Sequence, residues 1–248
     1  MGTWNRYFCR KCPYEAFVSG GDDVGMAAAT STVRCYDCQE IKDVVTTEEP
    51  WLAMAKDWVP IRRKIMLNRA IQEAAVAHGA QKRKGADTPH ITHPFMVAMI
   101  LSEAGYTEDE VVAGVLHDTL EDTRLTEDDI ENLFGKHVAA IVVGCTEPNR
   151  SLDWADRKQH TIDYLKTAPS EIRAVSCADK LHNVRCMTTD YEEIGERLWN
   201  RFRAGKDEQE WYYKGLVGSL CDRLEQHPDN SIFHQFKMAV SQLFDSSN

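Results

Sequence analysis

The sequence has no apolar run approaching the roughly 20 residues that span a bilayer. Its opening residues, Met1-Gly2-Thr3-Trp4-Asn5-Arg6, lack the apolar stretch of a secretory signal. Clustered positive charge is missing too. The 29 Lys and Arg stand against 39 Asp and Glu, a net charge of −10, whereas non-specific phosphate-backbone binding needs the opposite balance. There is no internal repeat and no low-complexity segment, and after residue 60 no alternating strand pattern. These absences predict a cytoplasmic protein with no membrane partner, and they argue against nucleic acid as a ligand. What is present is ordinary for a globule: 43% hydrophobic and 27% charged residues exclude global disorder. The 248 residues suit one to two domains and bury a sizeable core.

The eight cysteines fall into two groups. Cys145, Cys177, Cys186 and Cys221 are scattered through apolar surroundings and read as small buried hydrophobes. Cys9, Cys12, Cys35 and Cys38 form two C-x-x-C pairs, which in a reducing compartment read as metal ligands rather than disulfides. Four thiolates suit tetrahedral Zn²⁺ in a closed structural shell with no open position for chemistry. Residues 1–45, short of leucine and turning at Gly20-Gly21-Asp22-Asp23, therefore predict a small β zinc ribbon whose folding depends on the ion. It reads first as a stabilising cap and second as a docking module for a protein partner. Residues 46–60 read as a linker with a short helix, since Trp51, Met54 and Trp58 share helical spacing.

Residues 61–248 predict an all-helical domain, so the fold class is mostly α: a helical bundle preceded by the small β ribbon. Apolar residues recur at helical spacing through Ile65–Ala75, Phe95–Leu101, Val111–Leu116, Val138–Val143, Ile172–Val184, Leu198–Phe202, Leu216–Leu220 and Ile232–Leu243. Thr126-Glu127-Asp128-Asp129 supplies a cap and an acidic first turn, and Gly105 and Gly135 close helices.

Chemistry concentrates in a few short stretches. In His117-Asp118-Thr119-Leu120-Glu121-Asp122-Thr123, the His-Asp pair offers a nitrogen and an oxygen to one ion. Glu121 and Asp122 follow one helical turn later, within reach of a water to be deprotonated. His93, before Pro94, stands on stiff backbone at a helix start. Asp179 sits inside the apolar face Val175-Ala178-Leu181, where an unpaired carboxylate is costly and a metal is a natural partner. His93, His117, Asp118 and Asp179 thus make a two-nitrogen, two-oxygen ligand set suited to manganese, iron or zinc. His182 reads as an outer partner of that set. His78, His137, His160, His227 and His234 read as surface or capping residues, and the Trp211-Tyr212-Tyr213 cluster as core.

These stretches resemble the HD superfamily of metal phosphohydrolases and, more narrowly, the hydrolase domain of RelA/SpoT-like proteins that degrade the alarmone (p)ppGpp. The resemblance covers roughly residues 62–222. It rests on Gln81-Lys82-Arg83-Lys84-Gly85 through His93-Pro94, on the His117–Thr123 motif, and on Ala178-Asp179-Lys180-Leu181-His182-Asn183. It implies a single Mn²⁺ on His93, His117, Asp118 and Asp179. Glu121 and Asp122 would orient and deprotonate the attacking water. Arg83 and Lys84 would contact guanosine, Asn183 would bond the nucleotide, and Lys158 would meet phosphate. One departure is His90, where the family commonly carries tyrosine. No synthetase half is present, so synthesis of alarmone is not expected. The implied activity is hydrolysis of the 3′-pyrophosphate of ppGpp or pppGpp. The alternatives are an NADPH phosphatase or nucleotidase of the same superfamily, and a non-catalytic nucleotide-sensing adaptor.

Overall fold

The structure, a computed structural model, describes residues 4–8, 15–19, 32–34, 41–43, 45–46, 58–83, 85–147, 151–222, 224–226, 228 and 231–245. The chain divides into two compact units, Met1–Lys64 and Ile65–Asn248. In the first, β1 (Trp4–Phe8) pairs antiparallel with β2 (Glu15–Ser19). β3 (Thr32–Arg34) pairs with β4 (Ile41–Asp43), and β5 (Val45–Thr46) returns to β1. The register Phe8↔Glu15 brackets residues 9–14, and Arg34↔Ile41 brackets 35–40. Cys9, Cys12, Cys35 and Cys38 belong to those brackets and lie outside the described residues, as do residues 47–57, where a linker helix is expected.

The helical unit follows α1 (Trp58–His78) with α2 (Thr92–Glu103), α3 (Glu108–Leu116), the single turn α4 (Thr119–Asp122), α5 (Glu127–Phe134) and α6 (Lys136–Cys145). Then come α7 (Trp154–Leu165), α8 (Ser170–Ile194), α9 (Lys206–Leu220) and α10 (Ile232–Asp245). The central element is α8, against which α2, α3, α6 and α10 pack. Its middle, Ala174 to Asp179 with Leu181 and Val184, is buried all round, so no single apolar stripe marks it. The cap predicted at Thr126 is present: its hydroxyl accepts the Asp129 N–H at 3.2 Å.

Two segments depart from the periodicity. Leu198 lies in a 3₁₀ segment, Gly195–Arg201, that ends before Phe202, instead of an α-helix. The helix expected to run through the His-Asp pair stops at Leu116, and α4 restarts after Asp118. Gly114 allows α3 to lie against α2, since a Cβ there would meet Leu101 Cδ1 at 2.7 Å. Among the described residues no helix is long and apolar enough to cross a membrane.

Candidate metal centre and adjoining cavities

Three elements meet at one point. The first turn of α2 brings His93, the junction of α3 and α4 brings His117 and Asp118, and the middle of α8 brings Asp179. His93 Nε2 is 3.1 Å from Asp179 Oδ1 and 3.7 Å from Asp118 Oδ2. His117 Nε2 is 3.1 Å from Asp118 Oδ1 and 3.8 Å from Asp179 Oδ1. The four residues singled out in the sequence are therefore brought together.

The tautomers argue for a cation. His117 Nδ1 lies 2.8 Å from the Gly114 carbonyl, which only accepts, so Nδ1 carries the proton. In the neutral ring that a metal ligand must be, that leaves Nε2 as a buried lone pair facing carboxylate oxygens that cannot donate to it. Burial alone would lower the His117 pKa, but Asp118 and then Asp179 raise it to about 9. The pocket pulls positive charge towards Nε2, which is the field a divalent cation would meet there. Burial would raise the Asp118 and Asp179 pKa values; His117 chiefly holds Asp118 far below its ordinary range, and Lys180 chiefly does so for Asp179. Lys180 Nζ donates to Asp179 Oδ2 at 2.7 Å and Asn183 Nδ2 to Asp179 Oδ1 at 2.6 Å, so the carboxylate is oriented from two sides.

His182 supports His93 from behind, with Nδ1 to Nδ1 at 2.6 Å. Burial and then His93 lower its pKa to about 4, so it is neutral and can accept. With His93 Nε2 as ligand atom, His93 Nδ1 donates to His182, and His182 Nε2 faces Cys186 Sγ at 3.5 Å.

The paired acids diverge, because neighbours on a helical turn point in different directions. Glu121 lines a cavity of about 340 Å³ beside the cluster, and the Glu147 N–H donates to its Oε1 at 2.7 Å. Asp122 lines neither cavity described here and instead falls near His90 and Asp118. A second cavity, of about 720 Å³, shares Lys158, Lys180 and Tyr212 with the first. Arg83, Arg157, Arg203 and Asn183 also line it, a concentration of cations on an acidic protein. Arg83 donates to Asn183 Oδ1 at 2.7 Å. Lys158 pairs with Glu147 and lies over the Tyr212 ring. Lys84 lies outside the described residues.

Sequence reasoning missed several participants. His78 is buried, not superficial, and its ring lies 4.5 Å from that of His90. Of the cluster expected in the core, Tyr212 and Tyr213 are buried and also line the larger cavity, whereas Trp211 is exposed. Glu147 belongs to Gly144-Cys145-Thr146-Glu147, a stretch that resembles the family but gave no role for the acid; that role depends on the loop after α6. His90 carried a signal, as a substitution within an otherwise matching motif.

A family model described as "HD domain" matches residues 70–207. Over 170 residues the chain is 40% identical to the guanosine-3′,5′-bis(diphosphate) 3′-pyrophosphohydrolase MESH1 of Danio rerio, covering 65% of this chain and 91% of that one. It is 36% identical over 142 residues to a Mycobacterium leprae protein named probable GTP pyrophosphokinase, covering 56% of this chain but 18% of that one. The chain thus spans under a fifth of that relative. A solved structure titled as a metazoan ortholog of SpoT that hydrolyzes ppGpp matches with TM-score 0.59 at 28% identity, covering 71% of this chain and 94% of that one.

Proposed function

Because the chain belongs to the HD domain family, we propose that it is a metal-dependent hydrolase that removes the 3′-pyrophosphate of ppGpp or pppGpp, yielding GDP or GTP and pyrophosphate. The observation that carries this reading is the convergence of His93, His117, Asp118 and Asp179 beside Glu121 and a cation-lined cavity. The named activity of the 40%-identical relative supports the same substrate.

Mn²⁺ is the proposed ion, and when bound on those four residues it supplies Lewis acidity and neutralises phosphate charge. Glu121, fixed by the Glu147 amide, is the proposed general base for the attacking water, with Asp122 helping to orient it. Arg83, Lys84 and Asn183 would hold the guanosine end, and Lys158 the phosphates. Arg157 and Arg203 add positive charge where the substrate's oxyanions would lie. In the N-terminal unit we place a structural Zn²⁺ on Cys9, Cys12, Cys35 and Cys38, as a stabilising cap. The strand pairs β1–β2 and β3–β4, each closing on a segment with one C-x-x-C, support that placement.

The test is a substrate panel with and without Mn²⁺, resolved by chromatography. The expected result is Mn²⁺-dependent GDP and pyrophosphate from ppGpp. Turnover confined to NADPH or to nucleoside monophosphates would move the chain to another HD phosphohydrolase activity, and no turnover would leave a sensor.

A further inference from the structure

The two cavities meet along Lys158, Lys180 and Tyr212, which line both. The lysines are committed: Lys158 pairs with Glu147, and Lys180 donates to Asp179. The tyrosine is not. Tyr212, on α9, is 4% exposed, and its hydroxyl is buried with no hydrogen-bond partner among the described residues. Such a hydroxyl is unfavourable by itself, because buried tyrosines usually pair their O–H.

Its surroundings show which way it faces. Trp154 and Tyr213 meet the ring at steep angles, with centroids at 6.1 and 5.5 Å. The charges that act on the hydroxyl are Lys180, Asp179, Glu147 and Glu121, and all four line the smaller cavity with it. Burial pushes the Tyr212 pKa up to about 12, so the oxygen keeps its proton and is a donor. Lys158 reaches across the ring, its Nζ 5.0 Å from the centroid. A phosphate that draws Lys158 away from Glu147 would uncover the hydroxyl.

We propose that Tyr212 is the acid that protonates the leaving oxygen, the ribose 3′ oxygen of the substrate. The inference rests on the proposed hydrolysis. With the guanosine end at Arg83 and Asn183 in the larger cavity and the attacked phosphorus beside Glu121 in the smaller, the bond to be broken lies where the cavities join, at Tyr212. Glu121 takes a proton from the water as the water oxygen bonds to phosphorus. The bond from phosphorus to O3′ breaks, its electron pair stays on O3′, and O3′ takes the Tyr212 proton. The phenolate regains a proton from Glu121 through solvent in the smaller cavity, so the net change is one water added across the broken bond.

The test compares the wild-type full chain with Tyr212→Phe, which keeps the ring under Lys158 and removes only the hydroxyl. Both are loaded with Mn²⁺ and assayed on ppGpp and on an analogue whose bridging 3′ oxygen is sulfur, since a thiolate departs without a proton. The variant should lose about 10²- to 10⁴-fold in kcat on ppGpp and keep the wild-type rate on the sulfur analogue. Without added Mn²⁺ its Tm should be unchanged or raised, because a hydroxyl with no partner does not stabilise the fold. An unchanged kcat on ppGpp, an equal loss on both substrates, or a lowered Tm would overturn the assignment of Tyr212 and leave the hydrolysis standing. Cleavage of neither substrate by the wild type would overturn the proposed hydrolysis, and this inference with it.

Discussion

His117 commits one nitrogen to the Gly114 carbonyl and turns the other towards two carboxylates, which only a proton or a metal ion on that nitrogen can satisfy. Such an arrangement is unfavourable without a positive charge, and each residue around it has a separable task. Asp118→Ala removes an oxygen from the cluster and should abolish Mn²⁺ binding and turnover together, measured by calorimetry and product formation. Glu121→Gln should keep Mn²⁺ affinity and lower kcat by about 10²- to 10⁴-fold, the usual worth of a general base; an unchanged kcat would remove Glu121 from that role. His182→Ala should weaken Mn²⁺ binding by about 10- to 100-fold, because His93 loses the acceptor that fixes its tautomer. His182→Asn, which restores an acceptor, should recover part of that loss, an outcome that general unfolding would not give.

Elements explain which parts were legible in advance. Asp179 announced itself as a carboxylate among the apolar residues that became α8, and His93 as a residue before Pro94 at the start of α2. The break between α3 and α4 carried no signal, because neither Pro nor Gly marks it and both junction residues keep right-handed helical dihedrals. The meeting of His78 with His90 was illegible for another reason. They meet through loop closure at residues 81–90, and backbone pairing of that kind leaves no periodic trace. Helix contact also makes a prediction. Gly114→Val would drive side-chain carbons into Leu101, with Val97 Cγ1 only 3.4 Å from the new Cβ. The cost should be about 1–3 kcal/mol of overpacking, seen as a lowered Tm in thermal unfolding. Since His117 leans on the Gly114 carbonyl, Mn²⁺ affinity should fall with it.

At the scale of the molecule, charge is distributed against its own average. A chain of net charge −10 gathers Arg83, Arg157, Lys158, Lys180 and Arg203 around one cavity and four carboxylates around the adjoining ion site. That polarity suits a polyanionic nucleotide whose phosphates lie towards the metal and whose base end lies towards Arg83. It also explains why composition argued against a nucleic-acid partner yet said nothing against a nucleotide: the cations are few and local. The account turns on whether a cation sits where His93, His117, Asp118 and Asp179 meet. Anomalous X-ray diffraction at the manganese edge, from crystals of the full chain grown with Mn²⁺, decides this directly. The account predicts a peak bonded to both Nε2 atoms and to the two carboxylates. Density showing those four side chains packed only on one another, with the manganese signal elsewhere or absent, would contradict it.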